Sequence, residues 1–344
     1  MNKNKQHERI ELNNGIEQNR RLARAAAFFL VIVLSWACGG TSNNQQPVAQ
    51  GGGNAGTKAS KSKNVSGTRI NGGKYEASGV AQVPGTDKVL FVDDGRSDEV
   101  FVMQVDAAGQ QVGNVTAIRL GATVENPEGI THDGSRFYVV SSASNPKERE
   151  KNSIVRFAFD PAAQTVSNVE VIPDIRMHLT SRVPALRGEA EKKGKDGGLN
   201  IEGIAWDPQN QRLLLGLRSP IPAGQALVVP LKMRDAAGPF TADNINFEAA
   251  TPVQLSLGGA GVRDIQYDSR LQGFLLISGA PENQDKGDFS LWQWDGSSQP
   301  VRRIALEPGM KPEAITEFKM GDQGFMLILG DESRYVTFDY IDLS

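Results

Sequence analysis

One cysteine and three histidines are all this chain has of the residues that most often attack substrates or hold transition metals. With Cys38 alone, an intramolecular disulfide is excluded, so the fold must hold without one even in an oxidising compartment. There is no catalytic-cysteine arrangement, no paired-histidine metal motif and no phosphate-cradling glycine loop. The run Gly51-Gly52-Gly53 belongs to a low-complexity stretch. His7 falls in the N-terminal segment, His132 near a predicted turn and His178 in a charged insertion. A Ser/His/Asp hydrolase would need His178 beside Ser141 or Ser278, and no spacing in the chain indicates that. No basic stripe with interleaved aromatics occurs and the formal net charge is −3, so nucleic acid is excluded as a partner. The longest N-terminal apolar run, Ala25–Trp36, falls short of the ~20 residues a bilayer span needs.

What is present begins with that run. Residues 1–24 are polar and carry Lys3, Lys5, Arg9, Arg20, Arg21 and Arg24; the apolar segment then ends at Ala37-Cys38-Gly39-Gly40. A basic region, an apolar core and small residues make a signal peptide over residues 1–38. It resembles a bacterial lipoprotein signal, in which Cys38 is lipidated and becomes the mature N-terminus. Cleavage by ordinary signal peptidase and an uncleaved anchor are the alternatives. The expected location is the cell envelope, periplasmic or outer-membrane, with the lipid as the only membrane attachment; without lipid on Cys38 the protein is secreted. Residues 39–66, rich in Gly, Ser, Asn, Gln and Lys, cannot bury enough surface to offset their ordering entropy and read as a flexible tether. Residues 67–344 form the folded domain, expected to be a monomer.

That domain repeats one hairpin five times. Ser78-Gly79-Val80-Ala81 turns at Pro84-Gly85 and returns as Val89–Val92; Glu128-Gly129-Ile130-Thr131 turns at Asp133-Gly134 and returns as Phe137–Val140. Glu202-Gly203-Ile204-Ala205 turns at Asp207-Pro208-Gln209-Asn210 and returns as Leu213–Leu217. Arg263-Asp264-Ile265-Gln266 returns as Phe274–Ile277, and Glu313-Ala314-Ile315-Thr316 as Phe325–Leu329. A unit recurring every 50–60 residues reads as a blade of an all-β, five-bladed β-propeller. The fifth unit is one strand short, and a strand-like piece at Thr68–Asn71 precedes the first hairpin. Pairing the two closes the ring and removes an exposed edge. Six blades are the competitor, because the 74-residue step from Gly129 to Gly203 has room for another unit; its segment Asp174–Gly198 shows no strand alternation.

Strand starts and the ends of their hairpin partners lie at one end of each hairpin. If these are the inner strands, one mouth of the channel collects Ser78, Glu128, Glu202, Asp264 and Glu313 as candidate metal ligands. Asp93, Asp94, Ser141, Arg218, Arg263 and Asp331 are the candidate ligand-binding residues. Carboxylates outnumber cations there, which suits an oxygen-liganded hard cation such as Ca²⁺. The competing reading is a ring of interblade salt bridges, with Arg218 or Arg263 meeting the carboxylates.

Asn200-Ile201-Glu202-Gly203-Ile204-Ala205, then Leu214-Leu215-Gly216-Leu217-Arg218-Ser219-Pro220 and Gln225-Ala226, resemble the signature of a bacterial domain-of-unknown-function family. Ser141-Ser142-Ala143-Ser144, Asn152–Phe157 and Gly330-Asp331-Glu332-Ser333-Arg334 fit its pattern, so the likeness runs through the chain after Gly67. The resemblance implies a β-propeller and no settled activity. More distantly, the chain is similar to the esterase-like propellers attached to some phytases and to calcium-activated nucleotidases (apyrases). Apyrases are five-bladed, with a central Ca²⁺ held by Ser and Glu at blade starts. The likeness implies that role for Ser78, Glu128, Glu202 and Glu313; Arg263-Asp264 departs from it. Three classes stay open: a module binding a cation, a small molecule or a cell-envelope component at the mouth or at Asp174–Gly198; a calcium-dependent phosphoester or ester hydrolase with Arg218 or Arg263 countering charge; and a purely structural ring. Binding requires the least beyond the residues themselves.

Overall fold

Three of the five repeated hairpins, and two of the outer ones, carry an aspartate at the turn that reverses the chain. In the computed structural model, which describes residues 61–64, 66–282, 284, 287–307 and 309–343, the turn aspartates cap their own loops. Asp133, Asp160, Asp207, Asp268 and Asp295 each accept two backbone N–H bonds from residues two and three positions on, at 2.8–3.1 Å. These are Asx turns; those at Asp160, Asp207 and Asp268 reverse the chain without glycine, while Asp133 and Asp295 are followed by Gly134 and Gly296 at positive φ. The lipidation candidate Cys38, the signal segment and most of the tether lie outside the described residues. Among the described residues no helix is long and apolar enough to cross a membrane.

Two short strands come first, β1 (Lys61–Asn64) and β2 (Thr68–Arg69). Blade 1 is β3 (Ala77–Gln82), β4 (Lys88–Asp93), β5 (Glu99–Val105) and β6 (Gln111–Arg119). Blade 2 is β7 (Pro127–His132), β8 (Phe137–Ser141), β9 (Ile154–Asp160) and β10 (Thr165–Ile172). Helix α1 (Ile175–Arg182) intervenes before blade 3: β11 (Asn200–Asp207), β12 (Arg212–Ser219), β13 (Ala226–Leu231) and β14 (Val253–Leu255). Blade 4 is β15 (Gly261–Asp268), β16 (Gly273–Gly279), β17 (Phe289–Trp294) and β18 (Val301–Glu307). Blade 5 has β19 (Pro312–Met320), β20 (Gln323–Gly330) and β21 (Arg334–Phe338). Every blade is an antiparallel meander of neighbouring strands, and there are five blades.

The ring closes as expected. Strand β2 pairs antiparallel with β21, Thr68 opposite Tyr335 and Arg69 opposite Arg334, and completes blade 5. Strand β1 pairs parallel with β18 as an outer fifth strand of blade 4. The stretch assigned to the tether by composition thus contributes a strand at its end, and Lys63 ion-pairs with Asp342.

Five buried apolar clusters fill the five interfaces between blades. Strands β3, β7, β11, β15 and β19 form the inner ring. There Gly79, Gly129 and Gly203 let neighbouring backbones touch: a Cβ on each would lie 2.8, 2.9 and 2.7 Å from the amide nitrogens of Ile130, Ile204 and Ile265. Only glycine allows that approach. In blade 4 the equivalent residue is Asp264, fully buried, whose carboxylate accepts from Ile265 N (2.8 Å) and Ile315 N (2.7 Å). It fills the gap between blades 4 and 5 and caps the next blade's amide.

Candidate functional site

All five inner strands are irregular at one place. Pairing skips from Ala77 to Gly79, Pro127 to Gly129, Ile201 to Gly203, Val262 to Asp264 and Pro312 to Ala314. Each β-bulge leaves one residue without a partner: Ser78, Glu128, Glu202, Arg263 and Glu313. A bulge bends its strand and re-aims the extra side chain, and these five side chains all line a cavity of about 720 Å³ at one end of the channel. The residue two positions earlier forms a second tier: Glu76, Asn126, Asn200 and Lys311 line the same cavity. Asn126 donates to Glu128 (2.6 Å) and Asn200 to Glu202 (2.9 Å).

An arginine occupies the middle of this ring. Arg263, 8% exposed, meets Glu202 at 3.2 Å and ion-pairs with Glu313. Arg218 donates to the other Glu202 oxygen at 3.1 Å and to the Ala280 carbonyl at 3.0 Å. Both arginines are therefore committed to the ring. Glu128 has no arginine against it; burial first, then the charge of Glu202, pushes its carboxyl well above the ordinary range. Ser78 donates to the Pro127 carbonyl at 2.5 Å and so ties blade 1 to blade 2.

These residues do not fit a central Ca²⁺. The position such an ion would take between Glu202 and Glu313 carries a guanidinium, and like charges cannot share it at that spacing. Among the described residues no group of three or more His, Cys, Asp or Glu is placed to hold a metal. The blade-4 candidate also changes: Arg263 is the bulged residue, and Asp264, one position on, points into the blade interface. We expect the thermal midpoint of the full chain to be the same in EDTA and in added Ca²⁺; a rise with Ca²⁺ would mean that the ion displaces Arg263.

The remaining candidates divide. Asp94, Arg218, Arg263 and Asp331 line the mouth, with Asp331 held by Lys311 at 3.1 Å. Asp93 instead caps its own turn, accepting from Glu76 N (3.1 Å) and Gly95 N (3.0 Å). Ser141 is fully buried and its hydroxyl has no hydrogen-bond partner among the described residues. His178 stacks on Phe247, ring centroids 5.3 Å apart, and burial lowers its pKa. His132 lies at the opposite end of the channel, where its Nδ1 accepts from Gly134 N at 3.1 Å. Between the two ends Gln266 spans the channel, donating to Ile130 and Ile204 carbonyls at 2.6 and 3.1 Å. Among the described residues neither His132 nor His178 reaches Ser141 or Ser278; the Ser278 hydroxyl accepts from Trp292 Nε1 at 2.8 Å.

The Asp174–Gly198 insertion, which shows no strand alternation, holds the two-turn helix α1. It packs behind the mouth, with Ile175, Leu179, Val183 and Leu186 buried in the core between blades 2 and 3.

Asp94 makes the acidity of the mouth testable. Burial, then a hydrogen bond with Glu76, pushes its pKa up to about 7, and its Oδ1 has no partner. A carboxyl raised in the folded state gives stability that is present below its ordinary pKa and lost as pH rises through the folded value. Asp94→Asn is therefore expected to exceed wild type by roughly 1–2 kcal/mol at pH 8, allowing for its partial exposure, and to match it near pH 4. Urea melts at the two pH values check this; an equal effect at both would refute it.

Residues that the repeat alignment left out are Glu76, Asn126, Asn200, Ser144, Glu282 and Phe289. Two of them had a signal: Asn-x-Glu-Gly stands at 126–129 and again at 200–203. Glu282 and Phe289 reach the mouth from blade 4 with no repeat to mark them.

A family model described as a protein of unknown function, DUF3616, matches residues 170–323. No curated protein matches the chain in sequence. Among solved structures, the glutaminyl cyclase of Myxococcus xanthus is 11% identical with a TM-score of 0.43, covering 78% of this chain and 91% of that one. The soluble aldose sugar dehydrogenase of Escherichia coli is 11% identical with a TM-score of 0.44, covering 78% and 97%. The calcium structure of a Trichoderma reesei family AA12 enzyme is 11% identical with a TM-score of 0.40, covering 78% and 93%. At such identities and scores nothing about substrate or metal carries over.

Proposed function

We propose that this protein is a binding module whose mouth takes a small organic cation, an ammonium group rather than a metal ion. One observation carries the reading. Three buried acceptor oxygens on cavity-lining residues, Asp94 Oδ1, Asn200 Oδ1 and Glu282 Oε2, have no hydrogen-bond partner among the described residues. Buried acceptors without partners are costly, and a ligand that donates to them recovers that cost. Seven carboxyls against three cations line the same cavity, so the donor that suits it is positively charged. An ammonium offers three donors to separately placed acceptors.

Calorimetric titration of the full chain with ethanolamine, and with ethylene glycol as its uncharged counterpart, tests this. The amine is expected to bind, and Asn200→Leu to weaken it by about tenfold, the size of one lost charge-assisted hydrogen bond. Equal heats from both compounds would end the ammonium reading.

Hydrolysis is the second reading, and Glu128 favours it: burial, then the charge of Glu202, raises its carboxyl well above the ordinary range, the direction a general acid needs. A phosphoester route through Arg218 or Arg263 has less support, because both are tied to ring carboxylates. Turnover of p-nitrophenyl acetate or phosphate that vanishes in Glu128→Gln would put hydrolysis first.

We further propose export and lipid anchoring through Cys38, supported by the basic, apolar and small-residue order of residues 1–40. Radiolabelled palmitate should enter the wild type and not Cys38→Ala.

A further inference from the structure

The mouth does not end at its ring of carboxylates. It runs past Phe289, Lys311 and Asp331 into a second concavity of about 960 Å³ that shares those residues and Glu76. The electrostatics reverse there. The groove is lined by five cations against four carboxylates; the carboxylates are engaged, and of the cations Arg96 pairs with Glu99, Lys311 with Asp331 and Arg334 with Glu332. Asp93 accepts backbone amides, Asp331 meets Lys311, Glu332 meets Arg334 and Glu76 hydrogen-bonds Asp94. Arg69 and Lys74 meet no carboxylate among the described residues. They reach the groove because the ring-closing strand β2 and the segment after it run along its edge.

The mouth adds a second requirement. The residues lining the same cavity also carry one donor without a partner among the described residues, Arg263 Nε, on a side chain more than nine-tenths buried. Three acceptors and one donor match an ammonium with a carbonyl close behind it, which is the free amino end of a peptide.

We propose that the ligand is a zwitterion, a short peptide whose amino terminus enters the mouth and whose carboxylate is met by Arg69 and Lys74. This rests on the ammonium reading above and extends it to the ligand's other end. Phe289, common to both concavities, gives the chain between the two charges an apolar surface to lie on. No covalent step is involved.

The test titrates the full chain with triglycine and pentaglycine, their C-terminal amides, N-acetyl-triglycine and free glycine. The free acids are expected to bind about fivefold more tightly than the amides, the gain of one partly exposed ion pair. N-acetyl-triglycine should not bind. In the double variant Arg69→Glu/Lys74→Glu the preference for acid over amide should vanish, while amide affinity stays within about twofold. If the amides bind but the acids gain nothing, or the double variant keeps the preference, the zwitterion inference is overturned and the ammonium site stands. If glycine binds as tightly as the peptides, the ligand does not span the two concavities and the inference is again overturned. If neither amides nor ethanolamine bind, the ammonium reading itself has failed.

Discussion

Replacing Arg263 with methionine is expected to destabilise the protein by roughly 3–5 kcal/mol, the cost of stripping one partner from a buried ion cluster. Methionine fills a similar volume, so the loss is electrostatic rather than a cavity effect. Glu202 and Glu313 are left buried without Arg263, and Glu128 loses a charge that lowers its pKa. The deficit should therefore be larger at pH 8 than at pH 5, because protonation relieves an unbalanced carboxyl cluster. Denaturant unfolding at the two pH values measures it. The paired variant Arg263→Met/Glu313→Gln should recover about half of the loss, since removing both members of a buried pair costs far less than removing one. A single variant as stable as wild type at pH 8 would mean that the ring is hydrated and the arginine is not its counter-charge.

The second large effect is expected at Arg176, which lies in α1 and is 3% exposed. Its guanidinium donates to the carbonyls of Ala143 (2.5 Å), Leu199 (3.1 Å), Ala190 (3.2 Å) and Glu189 (2.6 Å), and to that of Lys192. One planar group thus gathers five acceptors from the insertion and from both flanking blades. Arg176→Leu removes all five bonds and is expected to cost about 4 kcal/mol, from unsatisfied buried carbonyls at about 1–3 kcal/mol each, some of which reach water. Trypsin should then cut at Lys192, Lys193 or Lys195 faster than in the wild type. Arg176→Lys should restore little, because an ammonium has three donors and no fork. Full rescue by lysine would show that charge, not the five-way geometry, holds the insertion.

These two arginines mark where reading the chain in order stops working. Arg263 stood in the alignment beside Asp264, and the carboxylate looked like the ring member because the other repeats offer acids. Which of two adjacent residues enters the mouth depends on where the bulge falls in the strand pairing, and no propensity in Gly261-Val262-Arg263-Asp264 records that. Arg176 sat in a segment that composition describes only as charged; its five acceptors lie on residues from Ala143 to Leu199. By contrast, the Asn-x-Glu-Gly pattern at 126–129 and 200–203 was visible and describes a real contact in both copies.

The sequence by itself determined the blades. Alternating apolar strands, Asx turns and glycines at strand starts act within a few residues, so each hairpin is specified by its own stretch of chain. Five copies with a strand missing from the last are enough to set the ring and its closure. Tertiary structure alone decided the character of the mouth. Four of its charges, Glu128, Glu202, Arg263 and Glu313, come from bulges on four different blades, and it also decided that β1 joins blade 4 and that Arg69 and Lys74 border a groove. The energy of charges brought together by a closed ring depends on distances and burial that no local pattern contains. That is why a ring of acids resembling a calcium site in sequence becomes, once folded, a cluster built around an arginine.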